Sequence, residues 1–233
     1  FNWAEDFLAL PLKPIALASF AGKLWAFGRE KIYRINPEQF YIESIQEGVG
    51  ILNQNSLVVT DFGMFFCDKN SMYQHDGTKP VDIGGTVLFN NDNPETTVGY
   101  RAALDKCILE GIDPIVAYDG RNKCVYFMVQ GVKEVNSNDY TKTKTAMYTY
   151  YPKTGRFDYL LLDYPAKFAV LGRDGDTLLS TQYQLFSLRR SNLNSKAWDW
   201  TSKEFDMGTL NVDKVWKSVK LTGAPSFSNW STT

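Results

Sequence analysis

A pair of short strands recurs along this chain, and its two clearest copies start at residues 23 and 63, 40 residues apart. Each copy combines an apolar strand, a polar turn and a strand of alternating aromatic residues. The copies are residues 23–28 (KLWAFG) with 31–36 (KIYRIN), residues 63–68 (GMFFCD) with 71–77 (SMYQHDG), and looser ones at 123–130 with 145–151 and at 176–182 with 185–190. A repeat of short strands at this period is typical of the blades of a β-propeller.

The composition is compatible with such a fold. Of the 233 residues, 44% are hydrophobic and 15% are aromatic, which is enough for a core and favours strands over helices. The net charge of −1 gives no basic face of the kind that wraps duplex DNA. No apolar run reaches the ~18 residues of a membrane span. Three cysteines (Cys67, Cys107 and Cys124) are odd in number and lack metal-ligand spacing, which fits a reducing compartment rather than a disulfide framework.

Turn signals divide the chain into blades of four antiparallel strands, because most connections have the length of hairpin turns. The predicted segments are blade 1 (14–49), blade 2 (50–84), a loop and short helix (85–112), blade 3 (113–163) with a long loop (132–144), blade 4 (164–208) and the start of a further blade (209–233). The helix is predicted from a stripe of residues at helical spacing: Tyr100, Ala103, Leu104, Cys107 and Ile108. Fewer than five blades rarely close a ring, so we expect this all-β chain to be part of a larger propeller protein.

One histidine, His75, precedes the turn residues Asp76 and Gly77. A Ser-His-Asp site would need a serine and a carboxylate to converge on it from other blades. We expect instead a histidine on the surface of a hairpin turn. With a single histidine and scattered cysteines, a zinc site is not expected either.

Four acids lie at predicted strand ends or turns, namely Asp61, Asp68, Asp119 and Asp174. Glycoside hydrolysis needs two acids that face one cleft, one of them with a raised pKa. Acids at strand ends more often form turns or contact solvent, and we expect that role for these four. The sequence therefore predicts no catalytic residue and no enzyme activity.

Other candidate sites are equally weak. Residues 90–93 are rich in oxygen ligands but lack the order of a calcium loop. The glycine pairs at 48/50 and 84/85 are not followed by the helix start of a phosphate-binding loop. Three tryptophans (Trp198, Trp200 and Trp216) could stack on sugars or bases, but packing between blades explains them more simply. We expect no metal ion and no cofactor.

Three stretches resemble the β-propeller regions of bacteriophage tail tube nozzle proteins, also called tubular tail proteins, from short-tailed phages. They are residues 27–35 with 47–50, residues 62–77, and residues 118–127 with 150–157. The resemblance implies a non-enzymatic virion component that helps form the tail conduit for genome retention and ejection. It implies a ring of copies, commonly a hexamer, that contacts adaptor or portal-proximal tail proteins and tail fibres and passes double-stranded DNA. The location implied is the virion tail, after assembly in the host cytoplasm.

Contacts with neighbouring subunits are predicted at the two insertions, residues 90–97 and 133–144, because exposed loops carry most partner contacts. The candidate contact residues are Asn90, Asn91, Asp92, Lys133, Asn136, Asn138, Tyr140 and Lys142.

Two other functions stay open. One is a carbohydrate-binding or glycan-cleaving propeller of a receptor-recognition protein, which the aromatic content and the strand-end acids favour. The other is an intracellular propeller scaffold. Specific binding or turnover of a glycan would favour the first of these over a tail component.

Overall fold

The computed structural model describes residues 8–85, 114–132, 144–162, 165–172, 175–181 and 185–188. The chain divides into two units, residues 1–192 and 193–233, and all described residues belong to the first. The predicted helix, most of the long loop in blade 3, and the predicted further blade lie outside the described residues.

The described residues form four antiparallel sheets in which each strand pairs with the next one along the chain. Sheet 1 comprises β1 (Ala16–Phe20), β2 (Lys23–Phe27), β3 (Lys31–Asn36) and β4 (Tyr41–Glu47). Sheet 2 comprises β5 (Leu57–Thr60), β6 (Gly63–Cys67), β7 (Met72–His75) and β8 (Pro80–Asp82). Sheet 3 comprises β9 (Ile115–Asp119), β10 (Cys124–Val132), β11 (Lys144–Tyr151) and β12 (Arg156–Leu162). Sheet 4 comprises β13 (Phe168–Leu171), β14 (Thr177–Ser180) and β15 (Leu185–Ser187). The prediction of an all-β architecture built from antiparallel sheets is confirmed over the described residues.

Local sequence explains the hairpins. The turn between β1 and β2 places Ala21 and Gly22 at φ 52° and 71°. Two residues with positive φ match the right-handed twist of the flanking strands, as in the two-residue hairpin turns of antiparallel sheets. The strands alternate in burial where one side faces solvent, as in β1, where Leu17 is exposed between the buried Ala16 and Ala18.

The four sheets stack in chain order, and each interface is an apolar cluster. Sheets 1 and 2 meet through Trp25, Phe27, Ile32, Met64 and Phe66. Sheets 2 and 3 meet through Phe65, Cys67, Met72, Val125, Phe127 and Tyr148. Sheets 3 and 4 meet through Ala117, Cys124, Tyr126, Met128 and Leu179. Sheets 2 and 3 are thus apolar on both faces, as expected for sheets covered on both sides.

The first strand of each sheet lies beside the first strand of the next, so that β1 contacts β5, β5 contacts β9 and β9 contacts β13. The outer face of sheet 1 (Ala26, Tyr33 and Ile35) is covered by the preceding segment through Leu8 and Leu10. Within the described ranges, no helix has the length and apolar character that crossing a membrane requires.

Candidate functional site

A cleft of about 300 Å³ opens where the first strands of sheets 2, 3 and 4 meet. Its lining residues come from the segment before β5 and from β5, β9 and β13: Gln54, Asn55, Leu57, Val58, Val59, Val116, Ala117, Tyr118, Ala169 and Leu171. The volume is at the lower end of the ~300–1,000 Å³ that is usual for ligand sites. Most of the lining side chains are aliphatic and none carries a charge, but the surface that the cleft exposes is more polar than apolar.

Two exposed amides, Gln54 and Asn55, lie at one part of the lining, in a single 3-10 turn (Gln54–Ser56) just before β5. Asn53 caps this turn, because its side-chain oxygen accepts a hydrogen bond from the backbone N–H of Asn55 at 2.6 Å. The Asn53 side chain also donates to the carbonyl of Pro114 at 3.2 Å, which ties the turn to sheet 3. The backbone that carries the two amides is therefore fixed.

Tyr118, at the end of β9, belongs to the lining, and its hydroxyl donates a hydrogen bond to the Asp61 carboxylate. The Lys123 ammonium donates to the other oxygen of Asp61 at 2.8 Å and lies 5.8 Å from the centroid of the Tyr118 ring. The hydrogen bonds from Lys123 and Tyr118 lower the pKa of Asp61 to about 2. Burial and the bond to Asp61 raise the pKa of Tyr118. At neutral pH the group therefore combines a carboxylate, a neutral phenol and an ammonium.

A second ion pair lies in the neighbouring turns. The Arg121 guanidinium is 3.3 Å from the carboxylate of Asp176, which is buried. The hydroxyl of Thr177 donates to the carbonyl of Tyr118 at 3.2 Å, which joins sheet 4 to the end of β9. The charges next to the Tyr118 side of the cleft are thus paired, carboxylate with cation.

Of the three strand-end acids that the structure describes, Asp68 and Asp119 form turns, as expected, whereas Asp61 bonds to Tyr118 and Lys123. Buried Asp68 accepts hydrogen bonds from the backbone N–H groups of Asn70 and Ser71 at 2.6 and 3.0 Å. Burial raises the pKa of Asp68. Asp119 accepts from two backbone N–H groups of its own turn and from the Tyr126 hydroxyl at 2.9 Å. Asp174 lies outside the described residues.

The expectation of a surface histidine is wrong. His75 is the last residue of β7, and its side chain is fully buried against sheet 1. Its ring makes an edge contact with Trp25 at 4.7 Å between centroids, and its Nε2 is 2.7 Å from the Gln46 side-chain oxygen. The turn begins one residue later, so strand alternation, rather than turn chemistry, directs this side chain into the interface. His75 is far from a catalytic arrangement, because both ring nitrogens are used by structural hydrogen bonds.

Most of the remaining candidate residues lie outside the described ranges. Cys67 and Cys124 are buried, and Cys107 is not among the described residues. The described part of the chain contains no group of three His, Cys, Asp or Glu side chains that could hold a metal ion. The residues outside the described ranges include the possible calcium loop at 90–93, the three tryptophans, and all eight candidate contact residues (Asn90, Asn91, Asp92, Lys133, Asn136, Asn138, Tyr140 and Lys142).

Sequence reasoning missed most of the cleft. The sequence suggested Asp61 only as a possible catalytic acid. It gave no reason to place Gln54, Asn55, Tyr118 or Lys123 in a site. One local signal was available, the Asn-x-x-Ser spacing of residues 53–56, which forms a capping box and so marks a rigid turn. The pairing of Asp61 with Tyr118, 57 positions apart, has no local signal.

No protein-family model and no curated protein matches the chain. Solved structures do match parts of it, among them the following two. Both are extracellular domains from B. thetaiotaomicron, one described as belonging to a one-component system and the other to a hybrid two-component system. The first has a TM-score of 0.49 and 13% identity, and covers 77% of this chain and 21% of that structure. The second has a TM-score of 0.46 and 14% identity, and covers 73% of this chain and 20% of that structure. The chain thus spans about a fifth of the length of either structure.

Neither match is a bacteriophage tail protein, so the predicted membership of the tail nozzle family is wrong, and so are the virion location and the tail role that it implied. The physical reason lies in the stretches that suggested the family. Residues 62–77 form β6, a turn and β7, and most of their apolar side chains are buried between sheets. Any protein built from stacked small sheets needs buried apolar hairpins of this kind, so the pattern does not identify one family. Assembly of this chain with its own copies stays a prediction.

Proposed function

We propose that the four sheets are an arc of a β-propeller and that the cleft at their first strands binds a carbohydrate without cleaving it. Two features support the propeller. The sheets stack face to face in chain order, and their first strands lie side by side in the same order. Sheets arranged radially around an axis have both properties, whereas a two-sheet sandwich has neither.

The observation that carries the ligand class is the make-up of the cleft, where two amides on a capped backbone turn adjoin aliphatic side chains. Gln54 and Asn55 each offer one acceptor and two donors, the combination that neighbouring sugar hydroxyls need. The aliphatic side chains, which include those of Val59 and Leu171, suit the C–H face of a pyranose ring. A cleft that combines placed polar groups with apolar side chains is usual for a small-molecule site.

The described acids near the cleft support binding without hydrolysis. A glycosidase needs a carboxylic acid with a raised pKa and a second carboxylate on the other side of the bond. Asp61, the acid bonded to the cleft tyrosine, has its pKa lowered to about 2 and is ionised at neutral pH. Asp68 has a raised pKa, but its oxygen is bonded to the backbone of its own turn. Neither of these two acids has the environment of a general acid beside the cleft.

A glycan array followed by calorimetric titration of the full chain tests this function. In the Gln54→Ala/Asn55→Ala double variant, we expect at least a tenfold weaker affinity, since each lost hydrogen bond costs about 1 kcal/mol. Gln39→Ala is the matched control, because Gln39 is an exposed amide outside the cleft lining. It should bind like the unmodified chain.

Failure of every glycan to bind would refute the carbohydrate proposal, as would a double variant that binds as tightly as the control. The same glycans are incubated with the chain and the products analysed by mass spectrometry. Release of a sugar that is lost in Asp61→Asn would refute the non-catalytic part alone.

A further inference from the structure

The cleft exposes more polar than apolar surface, although most of its lining side chains are aliphatic. Only Gln54, Asn55 and Tyr118 contribute polar side chains, and Tyr118 is buried, with its hydroxyl bonded to Asp61. The main chain supplies further polar groups, because β5, β9 and β13 are each the edge strand of a sheet. In an antiparallel sheet, an edge strand leaves the N–H and C=O groups of every second residue outside the ladder.

On β5, the residues with free main-chain groups are Leu57 and Val59. The N–H of Asp68, just after β6, donates to the carbonyl of Ser71 at 3.1 Å, so Asp68 faces β7. Counted back in steps of two from Asp68, alternate residues of β6 face β7, and those between them face β5. The latter include the partner of Val58. Val58 therefore bonds to β6, while Leu57 and Val59 direct their N–H and C=O groups to the open edge.

On β13, the same reasoning identifies Ala169 and Leu171. The N–H of Leu188 donates to the carbonyl of Thr177 at 3.1 Å, which directs the main-chain groups of Thr177 to β15. The partner of Thr177 on β13 is Leu171, so Leu171 has no ladder bond, and neither has Ala169 two residues earlier.

The four residues with open-edge groups on β5 and β13 all belong to the cleft lining and are half-buried or exposed: Leu57, Val59, Ala169 and Leu171. Between the two strands lies β9, which contacts both and whose lining residues Val116 and Ala117 are buried. The cleft therefore has two main-chain edges on either side of a buried floor.

The size and chemistry of these edges fit a sugar ring. Two residues of a strand that are two positions apart are separated by about 7 Å, so the open groups form a patch that is short along the strands and spread across three of them. An extended peptide would need a longer run along one edge. Each open residue offers one donor and one acceptor, as a hydroxyl does. No lining side chain carries a charge that would pair with a charged ligand.

We propose that the ligand, on the carbohydrate function argued above, is an uncharged hexose with its ring hydroxyls intact, and that main-chain groups bind these hydroxyls. Leu57 and Val59 contribute their N–H and C=O groups on one side of the cleft, and Ala169 and Leu171 on the other. The two amides of the 3-10 turn bind further hydroxyls. Affinity then depends on main-chain N–H groups more than on the side chains that cover them.

A proline and an alanine variant at one residue separate these contributions. Val59→Pro removes the open N–H but keeps an apolar side chain, and proline is tolerated on an edge strand where the N–H faces away from the sheet. Val59→Ala keeps the N–H and shortens the side chain. Leu171→Pro and Leu171→Ala form a second pair on β13.

Calorimetric titration of the full chain with the methyl α-glycosides of D-glucose, D-galactose and D-mannose selects the tightest ligand. For that sugar, we expect each proline variant to bind at least about fivefold more weakly than its alanine partner, because one hydrogen bond contributes about 1 kcal/mol. Of its 2-, 3-, 4- and 6-deoxy forms, at least two should bind about fivefold more weakly than the parent sugar for the same reason.

Urea unfolding tests the assignment of the open edge without any ligand. The N–H of Val58 belongs to the ladder, so Val58→Pro should lower the midpoint of urea unfolding far more than Val59→Pro does. An equal loss in the two variants would overturn the assignment.

Proline variants that bind the sugar as tightly as their alanine partners, or four deoxy sugars that all bind like the parent, would overturn the main-chain proposal and leave the carbohydrate function standing. Absence of binding to every sugar would overturn both proposals together. An unstructured peptide that binds in place of the sugars and is lost in Val59→Pro would assign the edge to a peptide instead.

Discussion

Acidification should destabilise the interface between sheets 1 and 2 through His75. Its Nε2–H donates to the Gln46 side-chain oxygen at 2.7 Å, while the Gln46 amide donates to the carbonyl of Thr78 at 2.8 Å. Its Nδ1 accepts the backbone N–H of Gly77 at 2.9 Å. A second ring proton would sit on Nδ1 and face that N–H donor. The interface therefore accommodates the neutral ring and not the cation.

The sign of the effect follows from the shift in pKa. Burial lowers the pKa of His75 below its ordinary value of 6.5, nearby Asp76 opposes the shift, and Arg34 adds to it. His75 is thus protonated near pH 6.5 in the unfolded chain, but only at a lower pH in the folded chain. The contribution of neutral His75 to stability is fully present above pH 6.5. It is lost as the pH falls from 6.5 towards the lower pKa of the folded chain. The free energy of unfolding should fall by up to about 1.4 kcal/mol per pH unit.

The pH window isolates this residue. His75 is the only histidine among the 233 residues. Several carboxylates nearby, such as Glu43 and Asp76, have lowered pKa values, so their contributions are lost only at more acid pH. Asp68 has a raised pKa and acts in the opposite direction, since its protonation favours the folded chain. Between pH 7.5 and 5.5, the slope should therefore come mainly from one proton.

Urea unfolding of the full chain at pH 7.5, 6.5 and 5.5, followed by tryptophan fluorescence, measures the slope. Trp25 is a suitable reporter, because it lies against the His75 ring. His75→Gln is the control, since its amide can still bond to Gln46 but does not titrate. An unmodified chain whose stability changes with pH no more than that of His75→Gln would refute the reasoning.

Two further predictions concern packing. Phe127→Ala should lower the free energy of unfolding by about 3–5 kcal/mol, because the ring is fully buried between sheets 2 and 3. Its control is Leu160→Ala, at an exposed residue of β12, which should change the free energy of unfolding by no more than about 0.5 kcal/mol. Gly50→Ala should lower the free energy of unfolding by about 1–3 kcal/mol, because a Cβ there would come closer than 3.0 Å to the carbonyl oxygen of Gly28. Its control is Gly85→Ala, where a Cβ meets no atom within 4 Å. Both pairs are compared by urea unfolding, and the packing argument fails if a variant is as stable as its control.

The sheets could be predicted because each hairpin is specified within a few residues. In sheet 1, the predicted strands at 23–28 and 31–36 correspond to β2 and β3, and the turn at Ala21 and Gly22 has the positive φ values that a two-residue hairpin needs. Strand ends differ by one or two residues, as at β7, which is Met72–His75 against a predicted 71–77. The order in which the sheets stack is a different matter. It depends on contacts such as Phe27 with Phe66, 5.4 Å between ring centroids, which no local pattern reports.

His75 shows where local reasoning fails. The neighbouring Asp76 and Gly77 do form the turn that the sequence indicates, and Asp76 accepts the backbone N–H of Thr78 at 2.8 Å. One residue earlier the chain is still a strand, and the side chain points to sheet 1. Side chains of a strand alternate between its two faces with a period of two. An error of one residue in the predicted end of a strand can therefore place a buried side chain on the surface.

The cleft was out of reach of the sequence for a related reason. Its walls come from β5, β9 and β13, three strands that are far apart in the chain and meet only because each is the first strand of its sheet. Within each strand, a residue such as Val59 or Val116 looks like ordinary core, since valine favours a pleated, half-buried surface. What distinguishes Val59 is that the stacking of the sheets leaves it partly exposed beside Gln54 and Asn55. On the proposed function, we therefore expect substitutions on β5, β9 and β13 to change the ligand while the hairpins that define the fold stay the same.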